Sequence, residues 1–189
     1  MSNIVYCLFN LETNGLGKHF NDIIEMYALL TSTDGIATTH PPFYSKCKPM
    51  RGVGYTEQIH GISDKMLLTE KLFDVVGANF MHWLNLNTED SQTICLVAYN
   101  GNRFYVPFLL CCCDRYAVAV SPRIFYSLDP LEIIQSLVWS PIPQNKKLGT
   151  IYKYITGSDL TNAHSAAADV IAMLHIFIHL LYGENPICF

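Results

Sequence analysis

The chain has 189 residues, 50% of them hydrophobic, and 12 basic against 16 acidic side chains give it a net charge of −4. Such a composition can bury one full-sized core, offers no linker at which to divide residues 1–189 into domains, and excludes a broad basic surface for nucleic acid while leaving room for a narrow groove. Seven cysteines, odd in number and without a CxxC pair, mostly sit in apolar runs, which predicts free thiols in a reducing cytoplasm or nucleus.

Residues Ile4 to Phe9 are apolar without alternation, as expected of a central strand covered on both faces. Asn10, Glu12 and Asn14 interrupt that run too early for a signal peptide. Asn21 to Thr31 and Gly35 to Cys47 predict two more strands, separated by the turn Thr33-Asp34-Gly35, in an antiparallel meander. Phe73, Val76, Phe80, Trp83 and Leu84 recur at helical spacing over Phe73 to Leu86, and Ile94 to Ala98 returns to strand character. Pro107 to Tyr116 predicts a helix, Arg123 to Leu128 a short strand, and Pro130 to Trp139 a helix with proline in its first turn. Helices over Lys146 to Thr156 and Ala163 to Tyr182 complete the chain. The run AMLHIFIHLLYG in the last is shorter than the ~20 residues that span a bilayer, so a buried helix and no membrane association are expected. Strands followed by alternating strands and helices imply an α/β layer structure around one mixed sheet.

Three separated segments carry the chemistry. FNLETNG, from Phe9 to Gly15, resembles the Phe-Asp-x-Glu-Thr-x-Gly first motif of the DEDDh exonucleases, with Asn10 in the place of the first acid and Glu12 in that of the second. LVAYNGNRFYVPFLL resembles their second motif, in which an aspartate follows an asparagine by five residues; Asn100 is present and Tyr105 takes the aspartate's slot. LTNAHSAAADVIA resembles the third, His-x4-Asp, with both His164 and Asp169 intact. His60-Gly61-Ile62 and TGSDLTNAH are similar to the branch that holds three-prime repair exonucleases and bacterial proofreading subunits. The resemblance implies an RNase H-like exonuclease fold, a five-stranded mixed sheet flanked by helices, with the first motif on the first strand.

In that family two divalent metals activate water and stabilise the leaving oxygen, and a histidine is the general base. Mg²⁺ relies on carboxylates to cancel its charge. At an effective dielectric of ~20, a carboxylate about 4 Å from a divalent ion contributes about 8 kcal/mol before desolvation. A millimolar site has only about 4 kcal/mol of net affinity. Without acids at positions 10 and 105, ordinary two-metal binding is therefore not expected; Glu12 and Asp169 would hold one ion weakly at most, and no cofactor is expected.

Blander readings stand beside these. Asn10 at a strand end can serve the backbone alone, Tyr105 can be a core aromatic with a polar tip or project its phenol towards Glu12, His164 and Asp169, and His164 can be a helix-entry residue. Cys111, Cys112 and Cys113 are expected to be buried structural thiols, since adjacent side chains do not converge on a metal. Lys46, Lys48 and Arg51, and Lys146 and Lys147, read first as solvated turns. In relatives the turn Thr13-Asn14-Gly15-Leu16 cradles the terminal nucleotide through backbone groups and an inserted apolar side chain, which needs no metal. With Tyr55 as a stacking aromatic, it predicts a residual groove for a single-stranded end.

The leading expectation is thus a catalytically inactive exonuclease-like domain that binds nucleic acid or a protein partner. Its rivals are a working Mg²⁺- or Mn²⁺-dependent 3′–5′ exonuclease with an atypical ligand set, and a structural module that homodimerises through a sheet edge.

Overall fold

The computed structural model describes residues 3–32, 40–137 and 143–183. Five strands form one sheet: β1 (Ile4–Thr13), β2 (Ile23–Thr31), β3 (Phe43–Lys46), β4 (Thr93–Val97) and β5 (Ile124–Leu128), in the order β3-β2-β1-β4-β5. The first three form an antiparallel meander, and β4 and β5 add in parallel. Parallel pairing needs crossovers, and helices supply them. Two short helices, α1 (Glu57–His60) and α2 (Asp64–Leu67), precede α3 (Phe73–Leu86) between β3 and β4. Helix α4 (Val106–Arg115) joins β4 to β5, and α5 (Pro130–Ser136), α6 (Leu148–Thr156) and α7 (Ala166–Tyr182) follow.

The period of two along β1 sends alternate residues to opposite layers. Phe9 and Leu11 pack with Phe73, Phe80 and Phe108 on the face covered by α3 and α4. Leu8 packs with Val170, Met173 and Phe177 of α7 on the other. Asn10 and Glu12 follow Leu8 in register, so the same alternation that builds the core carries them towards α7. A third, smaller cluster of Ile24, Val53, Ile62 and Leu67 roots the segment containing α1 and α2 against β2.

Several boundaries depart from the sequence reading. Strand β1 continues past Phe9 to Thr13, because Asn10, Leu11 and Glu12 keep pairing with Tyr27, Met26 and Glu25 until a bulge at Glu12/Thr13. Strand β2 begins at Ile23 and β5 at Ile124. The strand expected over Gly35 to Cys47 is confined to Phe43–Lys46; Pro41 and Pro42 immediately before it have no N–H to give to a ladder. The expected turn at Thr33-Asp34-Gly35 lies outside the described residues, as do Trp139 and Cys188. Helix α6 starts at Leu148 rather than Lys146, and α7 at Ala166 rather than Ala163, since Asn162 and His164 have positive φ. Among the described residues no helix is long and apolar enough to cross a membrane.

Candidate active site

The turn after β1 is held by its polar side chains. Thr13 Oγ1 donates to the Gly15 carbonyl at 2.8 Å, and Asn14 Oδ1 accepts from the Asp22 N–H at 2.6 Å. Asn14 Nδ2 reaches across to the Arg51 carbonyl at 3.0 Å. A Cβ on Gly15 would lie 2.5–2.7 Å from the Asn21 side chain, so this close approach requires glycine. The result is a fixed loop with Leu16 at its tip, 77% exposed.

The second segment enters through Asn100, whose φ is 62°, and winds Gly101–Tyr105 into a π-helical turn that runs directly into α4. A buried carboxylate imposes this shape. Asp129 accepts from the N–H groups of Asn100 at 2.9 Å and Asn102 at 3.2 Å, and caps α5 through Leu131 N–H at 3.0 Å. Tyr105 stands at the end of the turn, its ring edge-on to Phe104.

The third segment places His164 at φ 67°, one residue before the N-cap Ser165 of α7. Its backbone faces the Asp169 carboxylate and lowers that group's pKa. Glu25 pairs with Glu12 across the ladder, accepts from the Ala166 N–H at 3.2 Å and from the Tyr44 hydroxyl at 2.9 Å, and so fastens the start of α7 to the sheet.

These elements bring Asn10, Glu12, Tyr105, His164 and Asp169 together. Asn10 Nδ2 donates to Asp169 Oδ2 at a long 3.5 Å. Burial, then the neighbouring charges of Asp169 and Glu25, push the Glu12 carboxyl up to about 8, so it is largely protonated at neutral pH. Burial, followed by Glu12 and Asp169, drives the Tyr105 phenol well above its ordinary range and keeps it neutral. Its hydroxyl makes no hydrogen bond among the described residues, so the bond to Glu12, His164 or Asp169 foreseen as one outcome is not formed. Burial also raises Asp169, against the lowering effect of His164.

Tyr105, His164 and Asp169 separate two cavities. One, of about 480 Å³, extends past Asn10 and Tyr99 to Lys146 and Lys147. The other, of about 270 Å³, is bounded by Glu12, Thr13, Gly15, Leu16, Tyr55 and His60. Asn14 lines neither cavity; its role is to brace the loop. His60 Nδ1 accepts from the Ile62 N–H at 3.0 Å, which leaves the buried Nε2 of the ring without a partner among the described residues. Burial lowers its pKa.

The donors present do not fit a pair of hard divalent ions. Asn10 turns an amide NH₂ towards Asp169, and Tyr105 places a phenol where the family motif has a carboxylate. Among the described residues no three His, Cys, Asp or Glu side chains converge at metal-binding geometry.

Sequence reasoning missed Glu25 and Asp129. Glu25 had a signal, a charge inside the apolar run IIEMYALL, and Asp129 had another, an acid immediately before a helix-opening proline. The cysteine triplet needs correcting, since Cys111 is half-exposed with its Sγ 3.4 Å from His19 Nδ1, whereas Cys112 and Cys113 are buried as expected. Lys146 is likewise no free turn cation, because its Nζ donates to the carbonyls of Ile134 and Gln135 and its own carbonyl accepts from the Tyr99 hydroxyl at 2.6 Å.

The RNase T family model, described as an exonuclease, matches residues 8–177. A PolC-type DNA polymerase III of Caldanaerobacter subterraneus subsp. tengcongensis is 27% identical over 176 residues, 93% of this chain and 11% of that protein. The zinc-bound complex of E. coli exonuclease I with single-stranded DNA has a TM-score of 0.72 at 20% identity, covering 92% of this chain and 39% of the other. The same exonuclease in complex with a dT13 oligonucleotide has a TM-score of 0.73 at 19% identity, covering 96% and 41%. The chain therefore spans about two fifths of exonuclease I and about a tenth of the polymerase, and the structural likeness establishes the RNase H-like exonuclease fold.

Proposed function

Because this chain belongs to the RNase T exonuclease family, we propose that it is an exonuclease-like domain that has lost two-metal catalysis and holds the end of a single-stranded nucleic acid without cutting it. The observation that carries this reading is the Asn10 amide directed at Asp169. Where the family motif has a carboxylate that would share a metal with Asp169, this chain supplies an amide whose NH₂ is turned towards Asp169. Tyr105 compounds the effect, since a neutral buried phenol neither cancels a cation's charge nor coordinates as a carboxylate does.

The parts that need no metal remain. Leu16 projects from a braced loop, and Tyr55 and Ile59 face the same cavity at 65% and 52% exposure, which supports stacking and apolar contact with a terminal nucleotide. The single-stranded oligonucleotides on exonuclease I support the same class of ligand for this fold.

The test is a degradation assay on 5′-labelled single strands with Mg²⁺ or Mn²⁺, run beside Glu12→Gln. The reading expects no shortening above that variant, together with binding of the intact strand in EDTA. Shortening by the wild type that disappears in Glu12→Gln would overturn it.

A further inference from the structure

The chain's charge is not evenly spread. Residues 46–71 hold Lys46, Lys48, Arg51, Lys65 and Lys71 against Glu57, Asp64 and Glu70, so this segment carries +2 inside a chain of −4. None of its five cations forms an ion pair among the described residues, where the only two bridges are Arg115–Asp22 and Lys153–Asp159. Of its acids, Asp64 lines the groove beside Lys48 and Arg51, where it accepts from the Val53 N–H at 2.9 Å, so the cations outnumber it there.

The same segment builds one wall of the smaller cavity. Tyr55, Thr56, Ile59 and His60 line it, and Asn14 of the β1 turn bonds the Arg51 carbonyl. Lys48 N–H donates to the Lys71 carbonyl at 2.8 Å, which sets the two ends of the segment side by side. Lys48 and Arg51 share a shallow groove with the 70% exposed Met50 and the 62% exposed Leu68. Cations alternating with exposed apolar groups beside an end-binding cavity suit a chain of phosphates and bases better than an acidic protein face, which offers no planar groups to stack.

We propose that Lys48, Arg51 and Lys71, with Lys65, form a strand-binding ridge that grips the phosphodiester backbone of a single-stranded nucleic acid beyond the nucleotide held at Leu16 and Tyr55. This rests on the end-binding reading above. The competing exit passes the larger cavity, where Lys146 is already committed to the carbonyls ending α5 and Lys147 is the cation left. Unpaired charge therefore favours the ridge.

The test measures fluorescence anisotropy of labelled oligothymidylates of three and twelve nucleotides in EDTA at 50 and 200 mM salt. Each phosphate contact on a single strand adds about −0.7 to the slope of log K against log salt, so three contacts predict a roughly twentyfold loss over that range. The wild type is expected to bind the 12-mer at least tenfold tighter than the 3-mer at 50 mM salt. Lys48→Glu/Arg51→Glu/Lys71→Glu should erase that gain and leave the 3-mer within twofold, whereas Lys147→Glu should keep it. The neutral triple Lys48→Gln/Arg51→Gln/Lys71→Gln guards against misfolding of the reversal and should also lose most of the gain. A gain that survives both triples, a gain abolished by Lys147→Glu, no gain in the wild type, or equal competition by polyglutamate overturns the ridge. Length-dependent binding through the ridge that is indifferent to Leu16→Ala would instead leave the ridge standing and remove the end-binding reading.

Discussion

At Asn10 a single atom type separates two chemistries. An aspartate there would face Asp169 as a second anion and invite a cation; the amide instead turns an NH₂ towards that carboxylate at 3.5 Å. The pair Asn10→Asp with Tyr105→Asp should therefore restore Mn²⁺ binding at millimolar concentration or tighter, read by calorimetry, and each single change should recover much less because the ligands act as a unit. A folded double variant that binds no more Mn²⁺ than wild type would show that positions 10 and 105 are misaligned with the family's acids. Glu12 gives a second readout. Its folded pKa of about 8 lies above the ~4.3 of an unfolded glutamate, so between those values the folded state holds a proton the unfolded state lacks. Stability from this group is full below pH ~4.3 and is lost as pH rises through about 8. The groups around it are Asp169 from α7, Glu25 from β2, Tyr105 from the turn before α4, and His164. Glu12→Gln should flatten that decline and stabilise the fold at pH 9 by about 1–3 kcal/mol, measured by urea unfolding at several pH values.

At the scale of elements, α7 depends on a residue from another layer. Its N-cap Ser165 makes no side-chain capping bond, and the Glu25 carboxylate takes the Ala166 N–H instead. Glu25→Ala should lower stability by about 2 kcal/mol, since it removes a helix-end acceptor and leaves the Tyr44 hydroxyl without its partner. Urea midpoints would fall with the slope unchanged; an unaltered midpoint would mean that Ser165 or water replaces the cap. This link also explains what the sequence could reveal. The order of strands and helices was readable because Ile4 to Phe9 form an unbroken apolar run and Val76, Phe80 and Leu84 repeat at helical spacing. The site was readable only through three matched segments. The extension of β1 to Thr13 was hidden, since Asn10 and Glu12 look like a strand end until β2 supplies their partners. Glu25 and Asp129 act on backbone N–H groups distant from or unlike any side-chain motif, and a motif records chemistry rather than its supports.

For the whole molecule, apolar layers cover both faces of the sheet, and the fold should therefore stand without an ion between Glu12 and Asp169. Its melting temperature should move by less than about 2 °C with 5 mM Mg²⁺ or Mn²⁺, because a larger rise requires a well-occupied site. Differential scanning calorimetry checks this, and a rise of many degrees would restore the metal-dependent alternative. The segment of residues 46–71 bears on the whole differently. Helices α1 and α2 have four residues each, far below the length at which a helix persists alone. Their shape is borrowed: Cys47 N–H bonds the Ile24 carbonyl, Val53 and Ile62 lie against Ile24, and Asn14 clasps Arg51. The wall of the smaller cavity is thus assembled during folding, not by its occupant. On the proposed end-binding reading, a strand arriving there would meet a surface whose conformational entropy has already been surrendered, so the association would draw its free energy from stacking and counterion release with little ordering of the protein left to oppose it.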